Sequence, residues 1–82
     1  MMRQIAAGVH SVSPPLVMLG ETIRKRRKAA ELTQVGLAAL AHLQRTYIAD
    51  VERGARNVSM QNLVRIGNAL NVSVPELCLG MI

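Results

Sequence analysis

The chain has 82 residues, half of them hydrophobic, and ten Lys and Arg outnumber five Asp and Glu to give a formal net charge of +5. A chain of this length forms a single small domain with a limited core. Because it contains no Phe or Trp and one Tyr, that core must be built from aliphatic and Met side chains, which favours a helical bundle over a sheet. The positive charge points to a polyanionic partner, either a nucleic acid or an anionic membrane surface.

Several classes of protein are disfavoured by the same sequence. The single Cys78 excludes an internal disulfide, which fits a reducing cytosol, and no apolar run approaches the roughly 20 residues that span a bilayer. His10 and the Ser and Pro residues after it interrupt the apolar stretch that a signal peptide needs. His10, His42 and Cys78 lack metal-ligand spacing, and no nucleophile–base pair is visible. We expect a cytoplasmic protein that is not an enzyme, needs no cofactor or metal and does not bind a membrane.

The first predicted helix follows an N-terminal arm. Residues 1–17 lack helical periodicity and contain a Pro pair near their end, which favours an extended backbone. We therefore predict a flexible arm before a folded domain of residues 18–82. The first helix is predicted over residues 19–30, with Leu19 and Ile23 on its inner side.

A short turn organises the next two helices. Thr33 is the expected N-cap of a second helix over residues 34–41, and a third helix over residues 44–53 ends at Gly54 as its C′ residue. The two residues between these helices are too few for an antiparallel pair, so the helices must cross at a steep angle.

Two more helices complete the predicted domain. Ser59 caps a fourth helix. Its apolar side carries residues at the i, i+3, i+4 and i+7 positions, namely Leu63, Ile66, Gly67 and Leu70. Ser73 and Glu76 form a capping box, with Pro75 in the first turn, and open a short fifth helix. The expected fold is all-α, with five helices and no strand.

The third helix has two distinct sides at about 100° per residue. Ile48 and Val51 define its buried side, while Arg45, Thr46 and Ala49 belong to the outward arc. Arg can bond guanine O6 and N7 together, Thr can contact a base through its hydroxyl or methyl group, and a small Ala allows close approach. We therefore predict a base-reading helix in the DNA major groove; the alternative is an ordinary solvated helix face.

Residues 19–77 resemble the Xre/Cro-type helix-turn-helix family. All five helices match the family pattern in order and spacing, through the run LTQVGLA…QRTYIADVERGARNVSMQNLVRIGNALNVSVPEL. Within the family, RTYI followed by ERG and RN is similar to the controller proteins of restriction–modification systems. The resemblance implies a lambda repressor-like domain that binds double-stranded DNA and regulates transcription.

The resemblance also implies roles for residues outside the reading arc. Gln34 matches a residue that clamps a DNA phosphate, as the positive end of a helix dipole also favours. Tyr47 matches a residue that lies against DNA where the minor groove is compressed. Arg56 and Asn57 match residues that hold the backbone, and Arg56 is also a candidate base reader.

The resemblance also implies a structural ion pair, and the turn departs from the family pattern at one position. Arg27 and Glu52 match a partly buried pair that ties the first helix to the third. His42 stands in the turn where the family usually has Gly, so a left-handed conformation there is less comfortable.

Three groups keep alternative interpretations. The basic cluster of residues 24–28 is either a solvated face or a phosphate-facing patch. Tyr47 either packs at the rim of the core or contacts DNA. Asp50 accepts a hydrogen bond from cytosine N4, orients Arg45, or is simply solvated.

The C-terminal segment is apolar, with Val74, Leu77, Leu79 and Met81. These residues either cover the small core or form a symmetric dimer seam, which we favour. Two-fold symmetry would set the reading helices about 34 Å apart and predicts a palindromic operator.

The combined prediction is a homodimeric transcriptional regulator, of the controller type, on a palindromic operator. The alternatives are an antitoxin-type or phage-type repressor of the same fold, and a protein-interaction module that has lost DNA binding. An activator would also contact RNA polymerase.

Overall fold

A computed structural model describes residues 14–79 of the chain, and within this range all regular structure is helical. The elements are α1 Pro14–Ala29, α2 Gln34–Ala41, α3 Arg45–Glu52, α4 Met60–Leu70 and α5 Val74–Cys78. The predicted all-α fold with five helices is confirmed. No helix in these residues is long and apolar enough to cross a membrane.

Helix α1 begins at Pro14, five residues before the predicted start. Pro is well tolerated in the first turn of a helix because the N–H groups there have no intrahelical partner. Val17 also packs closely against Gly54, the glycine that ends α3. The assignment of residues 14–17 to a flexible arm was therefore wrong, and the remaining arm, residues 1–13, lies outside the described range.

The N-caps predicted for α2 and α4 are confirmed. The Thr33 hydroxyl accepts a hydrogen bond from the Gly36 N–H at 2.9 Å, and the Ser59 hydroxyl accepts one from the Asn62 N–H at 3.2 Å. Each bond satisfies an N–H that has no partner inside its helix, which stabilises a helix by about 1 kcal/mol.

Helix α5 opens with the predicted capping box. The Ser73 N–H donates to Glu76 Oε1 at 3.0 Å, and the Glu76 N–H donates to the Ser73 hydroxyl at 3.3 Å. The bond from the Ser73 N–H, with a second from its hydroxyl, lowers the pKa of Glu76 below its ordinary value, and Arg26 at 3.9 Å acts in the same direction.

The turn between α2 and α3 contains one left-handed residue. His42 adopts φ 58° and ψ 42°, and the Leu43 N–H donates to the Ala38 carbonyl at 2.9 Å. This bond satisfies a carbonyl at the end of α2. His42 therefore forms the turn that the family builds with Gly, at the cost of placing a Cβ in the left-handed region.

The core lies between all five helices. It consists of eleven buried residues, namely Leu19, Ile23, Leu37, Ala38, Ala41, Ile48, Val51, Leu63, Ile66, Leu70 and Leu77. These side chains are aliphatic, as the composition predicted, and they come from every helix, so each helix is fixed by burial rather than by its own propensity.

Gly20 allows α1 and α3 to meet backbone to backbone. A Cβ at this position would lie 2.5 Å from the carbonyl oxygen of Glu52 and even closer to that of Val51. Any larger residue would have to push the end of α3 away from α1. The position of α3 therefore depends on the absence of a side chain at Gly20.

Candidate nucleic-acid interface

Helix α3 separates a buried side from an open one. Ile48 and Val51 are enclosed in the core, whereas Arg45 and Thr46 are exposed and Ala49 is half-buried between the two sides. Because the inner side is fixed by complete burial, the orientation of the outer side is fixed as well. The structure therefore presents the three predicted base-reading residues of α3 along one accessible edge.

Beneath this edge, a buried network joins three helices. The Arg27 guanidinium donates to both Glu52 oxygens, from Nε to Oε2 at 2.6 Å and from Nη2 to Oε1 at 3.1 Å. Nη1 of the same side chain donates to the Leu32 carbonyl at 2.8 Å. The bonds to Glu52 raise the pKa of Arg27, while burial acts in the opposite direction. Arg27 is thus a permanently charged side chain that links α1 to α3 through its bonds to Glu52.

Gln34 belongs to the same network. Its amide Nε2 donates to Glu52 Oε1 at 3.1 Å, so the side chain at the start of α2 has a defined orientation. The first turn of a helix also carries partial positive charge. This arrangement provides a rigid donor next to a helix N-terminus, which is suited to a phosphate oxygen.

A shallow groove of about 270 Å³ opens above the network. Its lining includes Gln34, Ala49 and two exposed arginines, Arg24 and Arg53. Of the basic residues 24–28, Arg24 lines this groove and Arg27 forms its floor. The sequence alone assigns no role to Arg53, because its partners are not visible there.

A second cluster follows α3. Asp50 pairs with Arg53 and, through Oδ2, lies 3.8 Å from Nε of Arg56. The Arg56 guanidinium carbon lies 4.8 Å from the centre of the Tyr47 ring, within the range of a cation–π contact. Tyr47 itself is half-buried against the core. It therefore packs at the core rim and also supports an arginine.

An open groove of about 310 Å³ lies between this cluster and the α2–α3 turn. It is lined by His42, Leu43, Gln44, Thr46, Tyr47 and Arg56. Asn57 follows in the exposed loop before α4. Of the residues expected to contact DNA, Thr46, Tyr47 and Arg56 line this groove and Gln34 and Ala49 line the other. Arg45 and Asn57 line neither groove and are exposed.

The C-terminal residues divide into three groups. Leu77 is fully enclosed in the core of its own chain, so its assignment to a dimer seam was wrong: a side chain without exposed surface has none left to bury. Val74 is half-buried and Leu79 is 67% exposed. Met81 lies outside the described residues.

Comparison with known proteins supports this geometry. A helix-turn-helix family model matches residues 23–77. The control protein C.SmaI of Serratia marcescens is 45% identical over 60 residues, covering 73% of this chain and 71% of its own. The control protein C.BamHI of Bacillus amyloliquefaciens is 40% identical over 62 residues, covering 74% of this chain and 76% of its own.

A solved structure agrees with these sequence matches. The restriction–modification controller protein C.AhdI from Aeromonas hydrophila superposes with a TM-score of 0.74 at 44% identity, over 76% of this chain and 94% of that one. The family model, over residues 23–77, spans α2, α3 and the residues that line the two grooves. The chain therefore belongs to the Xre-type helix-turn-helix family of DNA-binding transcriptional regulators.

Proposed function

We propose that the protein is a homodimeric controller of a restriction–modification system that acts on a palindromic operator. The observation that carries this proposal is the fixed outward position of Arg45 and Thr46 on a helix whose other side is completely buried. The similarity to several restriction–modification control proteins supports the biological context.

In the proposed complex, α3 enters the major groove and two flanking sites hold the backbone. Arg45 and Thr46 read base edges, and Ala49 permits close approach. Gln34 and the start of α2 bind one phosphate on one side of the groove. On the other side, Arg56 and Asn57 hold the neighbouring backbone, with Arg56 kept in place by Tyr47.

We place the dimer seam on the outer side of α5, next to Val74 and Leu79. Leu79 is the most exposed large hydrophobic residue among those described, and a small core of this size gains stability from association. Leu79→Glu should yield a monomer in sedimentation equilibrium, whereas Leu40→Glu, an equally apolar exposed site on α2, should leave the dimer intact. If the Leu79→Glu protein still sediments as a dimer, the dimer seam does not include Leu79.

The regulator would act in the cytoplasm, without catalysis and without a cofactor. Activation of a promoter would add a contact with RNA polymerase, whereas repression would need none. A restriction endonuclease gene beside the gene for this chain would support the controller role; an adjacent toxin gene would favour an antitoxin.

Selection from a pool of random duplexes tests the proposal directly. The enriched sequences should contain two inverted half-sites whose centres lie one helical turn, about 34 Å, apart. Their binding should weaken steeply with salt, because each neutralised phosphate adds about 0.9 to the slope of log K against log salt. A lack of enriched sequences, together with the absence of salt-dependent DNA binding, would instead indicate a domain that has lost the ability to bind DNA.

A further inference from the structure

The Asp50 carboxylate lies between two arginines that follow it in the chain, Arg53 and Arg56. It pairs with Arg53, three residues further along, and its other carboxylate oxygen lies 3.8 Å from Nε of Arg56. The side chains of Arg53 and Arg56 are 68% and 50% exposed, whereas that of Asp50 is 30% exposed. One partly enclosed carboxylate therefore restrains two accessible cations.

The backbone around this cluster is also ordered. The Ala55 N–H donates to the Asp50 carbonyl at 3.0 Å, and Gly54 turns the chain with φ 74°. This turn brings Arg56 back over the Tyr47 ring. Arg56 is thus held on one side by a carboxylate and on the other by an aromatic ring, before any DNA is bound.

The carboxylate has an unusual place for a protein that binds a polyanion. It lies on the same helix as Arg45 and Thr46, and each of its two arginine partners lines one of the two grooves. An arginine that leaves Asp50 for a phosphate also leaves an unpaired negative charge close to the DNA. On the operator, base contacts seat α3 and the arginines can stay paired with Asp50, whereas binding to random sequence depends on phosphate contacts and therefore incurs this penalty.

We propose that Asp50 is a specificity-determining residue that holds Arg53 and Arg56 away from the phosphates of non-operator DNA. This inference rests on the proposed function, because it requires that α3 faces the DNA. Asp50 acts through its two arginines rather than by touching a base. Its effect is to weaken binding to random sequence more than binding to the operator.

The test compares Asp50→Asn and Asp50→Ala with Glu21→Gln. Glu21 is an exposed carboxylate on α1, so its variant changes the net charge by the same amount as the Asp50 variants. Affinities for the selected operator duplex and for a random duplex are measured by fluorescence anisotropy at several salt concentrations. Thermal melting of each variant shows that the fold is retained.

Both Asp50 variants should bind the random duplex roughly five- to tenfold more tightly than Glu21→Gln, with a salt slope steeper by about one released counterion. Operator affinity should rise less, so the ratio of operator to random affinity should fall. Including Asp50→Ala removes any effect of a new Asn amide on a base.

Two results would overturn the inference. Asp50 variants that bind random DNA no better than Glu21→Gln would show that the arginines are not restrained. Lost discrimination at a single base pair, with random binding unchanged, would make Asp50 a direct base reader. Arg45→Ala in the same assays separates these results from failure of the proposed function: if it keeps full operator discrimination, α3 is not the reading helix and both proposals fail.

Discussion

Arg27 on α1 and Glu52 at the end of α3 form a two-bond ion pair across 25 residues of sequence, with both side chains almost completely enclosed. Glu52 Oε1 also accepts a hydrogen bond from Gln34 at the start of α2. The same carboxylate therefore links the helix that we propose reads DNA to the residue expected to hold a phosphate. Stability and DNA binding should respond together when it is changed.

Removing Glu52 alone should be costly. Glu52→Ala leaves the Arg27 charge buried without its partner, and we expect a loss of about 3–5 kcal/mol in the free energy of unfolding. The paired replacement of Arg27 by Met and Glu52 by Leu should recover most of this loss, because no unpaired charge remains. Urea unfolding measures both changes. A Glu52→Ala protein within 1 kcal/mol of wild type would show that water or another group already solvates Arg27.

Gln34 should contribute to affinity without contributing to sequence choice. We expect Gln34→Ala to weaken binding to operator and random duplexes alike, by roughly 1.5 kcal/mol, because a phosphate contact carries no base information. Asn68→Ala removes an exposed amide from α4 and should leave both affinities unchanged. Anisotropy titrations on the two duplexes provide the measurement; an effect limited to the operator would contradict a pure phosphate role.

Gly20 should be sensitive to the addition of a single methyl group. Gly20→Ala forces the α1 backbone away from the carbonyls of Val51 and Glu52, and such overpacking costs roughly 1–3 kcal/mol. Operator affinity of the folded variant should also fall, since the end of α3 moves. Gly36→Ala meets the Thr33 hydroxyl at 3.3 Å rather than backbone atoms, so its unfolding midpoint should change less. If the two variants lose equal amounts of stability, the close α1–α3 contact is not the reason that Gly20 is sensitive to substitution.

The capping box should contribute to acid unfolding. Glu76 has a lowered pKa in the folded chain because of its bonds from Ser73, so the unfolded state binds its proton first. Its contribution to stability is complete above the ordinary value of 4.5 and is lost as pH falls through the lower folded value. Glu76→Gln can keep the cap but cannot titrate. Urea unfolding between pH 7 and 3 should show a shallower loss for Glu76→Gln; parallel curves would exclude this contribution.

Local signals in the sequence predicted much of the fold. Thr33, Ser59 and Ser73 mark helix starts because a side-chain oxygen before an apolar run satisfies a free N–H. The sides of α3 followed from the spacing of Ile48 and Val51. The pair of Arg27 with Glu52 came only through the family resemblance, since nothing local connects residues 25 positions apart.

The wrong predictions concern residues whose sequence allows two structures, between which only tertiary packing decides. A Pro pair fits both an extended arm and the first turn of a helix, and only the contact of Val17 with Gly54 selects the helix. The sequence is compatible with Leu77 either in the core or in a dimer seam. Leu77 lies in the core because α5 packs against α1 and α4. The link from Asp50 to Arg56 depends on the turn at Gly54, which spacing alone does not place.

The most direct test of α3 as the reading helix is a base-substitution profile of Arg45→Ala on the selected operator. Every base pair of one half-site is replaced in turn, and the binding free energy of each duplex is compared between wild type and variant. Arg45→Ala should lose discrimination of about 1–3 kcal/mol at one base pair and keep it at the others. A variant profile that matches wild type at every position would contradict a base-reading role for Arg45 and with it the placement of α3 in the major groove.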